Sequence, residues 1–162
     1  MRKKINLLLF LIISMCLLNT GIFAAEKLNL KDKEIVNFVN KAVQYMEKNG
    51  TPKQKEAEVF KKFDDPKGIF VKGDIYLFTY NFDGVCLQNC MFPNLENLGL
   101  LDMKSPDGKF IIKEMIKGTK KNGQGWITFE WPYPNSKKIG TKRTFYKGVA
   151  GKNIFIGAGY YL

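Results

Sequence analysis

The last third of this chain must form an antiparallel sheet. Strand-like stretches at Trp126 to Trp131, Thr141 to Val149 and Asn153 to about Tyr160 are joined by two turn-prone connections, Pro132 to Gly140 and Ala150 to Lys152. Parallel neighbours need a crossover of a dozen or more residues, usually a helix, and neither connection has that length. Upstream the period is helical. Ile35, Val36, Phe38, Val39, Ala42, Val43, Tyr45 and Met46 make an apolar stripe on a helix from about 30 to 48, with Asn29 as its cap and Asp32 in its first turn. Asn49-Gly50 ends it, as glycine does at helix ends. Thr51-Pro52 with Gln54 reads as the capped start of a second helix, which runs to about Phe63.

Sheet signals follow. Phe70-Val71 is a short strand, Gly73-Asp74 a turn, and Ile75 to Phe82 a strand rich in aromatic and β-branched residues. Asp83-Gly84 is a hairpin turn, with Val85 to Leu87 returning. Residues 88 to about 106 are irregular, and a loop that long inside a compact domain is usually functional. Phe110, Ile111, Ile112, Met115 and Ile116 lie on a helix that Gly123 and Gly125 stop. The fold class is therefore α+β, with helices packed on an antiparallel sheet.

The first residues read as an export signal. Arg2, Lys3 and Lys4 precede an apolar run from Ile5 to Leu18, and Ala24-Ala25 offers a cleavage site. The run is shorter than the ~20 residues of a membrane-spanning helix. The expected organisation is a signal peptide over 1–24 and one ligand-binding domain over 25–162, located in the periplasm or otherwise outside the cytoplasm. Only an uncleaved N-terminal segment would hold it to a membrane. Removing the three leader cations takes the formal net charge from +11 to +8. That excess is scattered lysine, with Arg143 the one remaining arginine, which is not a nucleic-acid footprint. A basic surface of this kind attracts anionic ligands or an anionic membrane surface.

The chain contains no histidine. That removes the commonest general base and the commonest transition-metal ligand, so neither an enzyme nor a metal or cofactor protein is expected. Asp64, Asp65, Asp83, Asp102 and Asp107 sit in turn or cap contexts rather than as acid pairs. Gly157-Ala158-Gly159 lies in the last strand with no helix after it, so it is not a dinucleotide turn; small residues there let a ligand or another backbone approach the sheet. The mature chain keeps Cys86 and Cys90. Export favours a disulfide between them, yet an extended chain holds Cα atoms four apart about 13 Å from each other, so a bond requires a turn at Leu87 to Asn89. Disulfide and free thiols both stay open.

Five ordered stretches carry a family resemblance: KEIVNFVNKAVQYMEKNG, FDDPKGIFVKGDIYLFTYNFDGV, LLDMKSPDGKFIIKEMIK, GQGWITFEWPYPNSKK and IFIGAGYYL. Over about 31 to 162 the chain resembles the single-Cache family of extracytoplasmic sensor domains. The resemblance implies a PAS-like antiparallel sheet, a long N-terminal helix along one side, and a pocket between the sheet and the loop-helix insertion. It also implies a small-molecule ligand, often a short carboxylic acid, and a membrane receptor or sensor kinase as signalling partner. The family's His-Pro pair after the Asp-Gly turn is replaced here, within VCLQNCMFP, by Asn89-Cys90.

Resemblance and strand alternation together select the ligand candidates. Alternation sets Trp126, Thr128 and Glu130 on one sheet face and Ile127, Phe129 and Trp131 on the other, and gives Tyr76, Phe78 and Tyr80 a common face. The candidates are Tyr80, Trp126, Trp131 and Tyr146 as aromatic contacts, Asn89 and Met103 at the rim, and Arg143 and Lys147 as the cation for an anion. The alternatives are an interaction protein with a vestigial pocket and a thiol-redox role for Cys86 and Cys90.

Overall fold

The computed structural model describes residues 30–51, 53–134 and 136–162. The expected signal segment, 1–24, lies outside them. Contacts divide the chain after Glu34, and Ile35–Leu162 forms one compact unit. Among the described residues no helix is long and apolar enough to cross a membrane.

Helix α1 covers 30–49, close to the range its apolar stripe predicts. Ile35, Val39, Ala42, Val43 and Met46 are its buried face. It stops where Gly50 donates to the Met46 carbonyl at 2.7 Å, although Gly50 does not take a left-handed φ. Lys53–Lys55 form a 3-10 turn, and α2 begins only at Glu56, running to Phe63. No side-chain cap closes its start, so the expected Thr51 capping box is not what begins this helix. Val59 and Phe63 are its buried residues, and Phe63 packs edge-on against Phe70 at 4.8 Å.

The predicted strand over Ile75 to Phe82 divides at Leu77. β1 (Val71–Lys72) and β2 (Ile75–Tyr76) make a small hairpin, while β3 (Phe78–Asn81) enters the main sheet. β4 (Cys86–Asn89), β5 (Gln124–Pro132), β6 (Ile139–Gly148) and β7 (Ile154–Tyr161) complete that sheet, ordered β4-β3-β7-β6-β5 with every pairing antiparallel. The β3–β4 turn is built as its sequence requires. The Asn81 side-chain oxygen accepts from the Asp83 and Val85 amides, and Gly84 takes φ +83, which residues with a Cβ rarely adopt. A Cβ on Gly84 would also lie 2.9 Å from the Leu101 Cα.

Leu101 is there because the loop after β4 folds back along that strand. Asn97 donates to the Cys86 carbonyl, Cys86 to Leu98, and Leu100 to Gly84. The outer edge of β4 is thus covered rather than left to pair with another chain. Helix α3 (Ile111–Asn122) starts one residue after Phe110, which stands outside it and exposed. It ends at Gly123, left-handed at φ 76. Asp107 pins the approach to α3: it accepts from Ser105 and from the Glu130 amide and pairs with Lys109. The Ser105 hydroxyl is the first cause holding its carboxyl down to about 2.

Strand alternation divides the core in two. On one face of the sheet, Leu77, Phe145, Ile154, Ile156, Ala158 and Tyr160 meet the buried residues of α1 and α2. On the other, Phe78, Tyr80, Ile127, Phe129, Tyr146 and Phe155 meet α3. Candidate ligand space lies on the α3 side.

Candidate functional site

A hollow of about 20 Å³ lies between the α3 face of the sheet and the helix. That volume holds about one water. Ile111, Ile112 and Met115 of α3 close one side. Tyr76, Phe78 and Tyr80 close another, followed by Asn89 from β4 and Phe129 and Trp131 from β5. β6 supplies Lys142.

Lys142 is the unusual member. It is 1 % exposed, yet it sits in the middle of the sheet, opposite Phe129 on β5 and Tyr161 on β7. Its ammonium stands 3.8 Å from the Tyr76 ring centroid and 5.3 Å from that of Tyr161. Among the described residues no carboxylate forms an ion pair with it. Burial lowers its pKa to about 7, and the charge of Asp74 only partly opposes this. Cation–π attraction to the two rings offsets some of the desolvation, but among the described residues no ion-paired carboxylate neutralises the buried ammonium.

The polar side chains that line the hollow beside Lys142 are neutral. Burial, then the neighbouring Tyr161, pushes the Tyr76 phenol well above its usual range, with the Trp131 ring N–H pulling the other way. Burial does the same to Tyr80. Tyr161 donates to the Pro132 carbonyl at 2.5 Å and stacks on Tyr133. The Asn89 side-chain oxygen accepts from the Phe92 amide, and its backbone N–H donates to Glu96. Phe92 in turn touches both the Tyr76 ring, at 6.0 Å, and the Trp131 ring, at 5.7 Å. One step along β4, the fully buried Gln88 donates to Asp64 at 2.7 Å and accepts from Thr79, which ties the end of α2 to the strand carrying Asn89. Burial raises the Asp64 pKa, and the Gln88 hydrogen bond works against that.

Of the residues singled out from sequence, the structure brings Tyr80, Asn89 and Trp131 together at the hollow. Met103 packs against the same cluster without lining the space. Tyr146 points to the α3 side, but its hydroxyl occupies the room above Gly118 and Gly125. Three candidates face away. Trp126 packs on Phe145 beneath the Arg143 guanidinium, and Lys147 donates to Asn40 of α1 at 2.8 Å. The reason is parity: Arg143 and Lys147 are odd-numbered on β6, whereas Lys142, Thr144 and Tyr146 share the α3 face. Lys142 is thus the residue that sequence reasoning missed. Its signal was available, since it alternates in phase with Tyr146.

Cys86 and Cys90 are free thiols, the first buried and the second half-buried. The turn that a disulfide needs does not occur, because Cys86–Asn89 is extended strand. Burial first, opposed by the Tyr80 hydrogen bond, pushes the Cys86 thiol up to about 11, and burial likewise raises Cys90. Neither is poised as a nucleophilic thiolate near neutral pH. Among the described residues no group of three His, Cys, Asp or Glu side chains could hold a metal ion.

The small residues of β7 serve packing. A Cβ on Gly157 would lie 2.3 Å from the Phe78 ring, and one on Gly159 would lie 2.4 Å from the Thr144 hydroxyl. Gly157→Ala therefore drives the Phe78 ring from its seat at the wall of the hollow. It is expected to cost about 1–3 kcal/mol of stability, read from urea denaturation midpoints. Combining it with Phe78→Leu should recover part of the loss; strict additivity of the two would show that they do not compete for space.

A family model described as Cache domain (dCache_2) matches residues 22–162. Three solved structures share the fold. One, described as the periplasmic sensor domain of a chemotaxis protein, superposes with a TM-score of 0.76 at 17% identity, covering 83% of this chain and 97% of that one. A Cache chemosensory domain, solved for the structural basis of its carboxylic acid recognition, gives 0.73 at 21% identity over 85% of this chain and 97% of its own. A methyl-accepting chemotaxis protein from Vibrio parahaemolyticus RIMD 2210633 gives 0.71 at 22%, covering 84% of this chain and 91% of that one. With all of the described residues inside the match, the chain belongs to the Cache domain family.

Proposed function

We propose that this Cache domain is an extracytoplasmic sensor that binds a small organic anion, a short carboxylate, with Lys142 as its electrostatic anchor. The observation that carries the reading is the fully buried ammonium facing a hollow with no carboxylate paired to it. An anion arriving there supplies the missing charge in a low-dielectric setting, where a charge-assisted hydrogen bond is strong. Asn89, Tyr80 and Trp131 are the orienting groups. The role is binding rather than catalysis, and a membrane receptor or sensor kinase reads the occupied state. The similarity to a carboxylic acid-recognising Cache domain supports the ligand class.

A hollow sized for one water cannot take a two- or three-carbon acid without rearrangement. Phe92, which bridges the Tyr76 and Trp131 rings, is the side chain best placed to yield. Ligand binding then moves the start of the loop after β4, and that movement is the signal. The same small volume favours a second reading, an interaction protein whose pocket is vestigial. Calorimetry with acetate, propionate, lactate and pyruvate separates the two. The sensor reading expects saturable binding of at least one acid, weakened by Lys142→Met; heatless titrations with all four would leave the vestigial pocket standing.

A further inference from the structure

We propose that a lysine-walled groove along the outer side of α3 docks an acidic, amphipathic segment of a partner protein. Two shallow, open depressions of about 630 Å³ and 660 Å³ adjoin there, sharing Phe82 and Lys120. Six lysines line the pair against a single carboxylate, Glu47. Three of the six are engaged: Lys113 with Asp102, Lys147 with Asn40 and Lys152 with Glu56. Glu47 itself accepts from the Ala150 amide. That leaves Lys117, Lys120 and Lys121 exposed on α3, with no carboxylate pairing among the described residues.

The floor between these cations is apolar. Phe82, Leu101 and Ile116 form it, and the Lys120 ammonium lies 5.4 Å from the Phe82 ring centroid. Lysine walls over an apolar floor complement a segment that carries carboxylates on one side and aliphatic side chains on the other. The inner face of α3 lines the Lys142 hollow through Ile111, Ile112 and Met115, so a partner on the outer face grips the helix that closes the site. The docking surface stands on its own geometry and does not depend on which ligand the hollow takes.

The test uses protein exported from the full chain, with a labelled helical peptide of Glu and Leu, its Lys-for-Glu counterpart, and phosphatidylcholine vesicles with and without phosphatidylglycerol. The acidic peptide should bind, more weakly as salt rises, and shift α3 amide resonances. The triple variant Lys117→Glu/Lys120→Glu/Lys121→Glu should raise its Kd about tenfold or more with an unchanged melting temperature. If the triple variant does not fold, single Lys117→Gln and Lys121→Gln variants should each weaken binding about two- to threefold. Equal binding by wild type and variants, no binding of the acidic peptide, or attachment only to phosphatidylglycerol vesicles would each overturn the proposal.

Discussion

Lys142→Met is expected to make the protein more stable and to weaken anion binding sharply in the same step. Methionine keeps the length and apolar contacts of the lysine stem and removes the charge. With the ammonium buried and its pKa lowered to about 7, the folded state carries a charge it would rather release. The unfolded chain holds that proton until about pH 10.4, so it binds more protons than the folded state between the two values. Wild-type stability therefore climbs as pH rises through that window. Below pH 7 both states are protonated and the full desolvation cost stands. Part of that cost is offset by the Tyr76 and Tyr161 rings. At pH 6 the variant should gain roughly 2–4 kcal/mol, a rise of about 6–12 °C in Tm for a chain of this size. The gain should shrink as pH approaches 10. Over the same substitution, affinity for a short carboxylate should fall roughly a hundredfold or more. A variant no more stable than wild type at pH 6 would mean that the ammonium is already satisfied and needs no anion.

A residue that weakens the fold and that packing alone would replace marks the place where sequence and structure part company. Most of the fold was legible because local signals agreed with one another. The α1 stripe, the Asp83-Gly84 hairpin and the short connections after β5 each follow from period and turn chemistry, and the structure places those elements within a residue or two. The start of α2 was not legible, since its capping residues are followed by a 3-10 turn rather than by the helix itself. The break at Leu77 was hidden too. Ile75 to Phe82 is one unbroken β-prone run, and only the pairing partners reveal that β2 and β3 belong to different sheets. For the site, alternation put Tyr76, Phe78 and Tyr80 on one face and Trp131 with Phe129, as the structure has them. The cation was harder. Charge alone ranks Arg143 above a neighbouring lysine, because a guanidinium suits a carboxylate. Burial is decided by the parity of a strand, and parity assigns Arg143 to the α1 side and Lys142 to the hollow.

That parity leads to the second large effect, which appears in the pH dependence of binding. An anion pairs only with the protonated amine, and in the empty site about half of Lys142 has lost its proton by pH 7. Ligand binding must then restore the proton, so affinity should be level between about pH 5.5 and 6.5 and fall about tenfold per unit above pH 7. The other charged or titratable groups around the amine do not mimic this. The Tyr76, Tyr80 and Tyr161 phenols are all pushed above their usual range by burial, so they stay neutral throughout. Asp74, whose charge holds the Lys142 pKa up, sits in the β1–β2 turn, and Asp74→Asn should move the break in the profile to lower pH. Short carboxylic acids are themselves fully ionised above pH 6, so the ligand contributes no slope. Calorimetry in two buffers of different ionisation enthalpy reads the proton directly, and at pH 8.5 uptake should approach one per ligand bound. A flat profile from pH 6.5 to 9 with no proton uptake would show that a group other than Lys142 meets the anion.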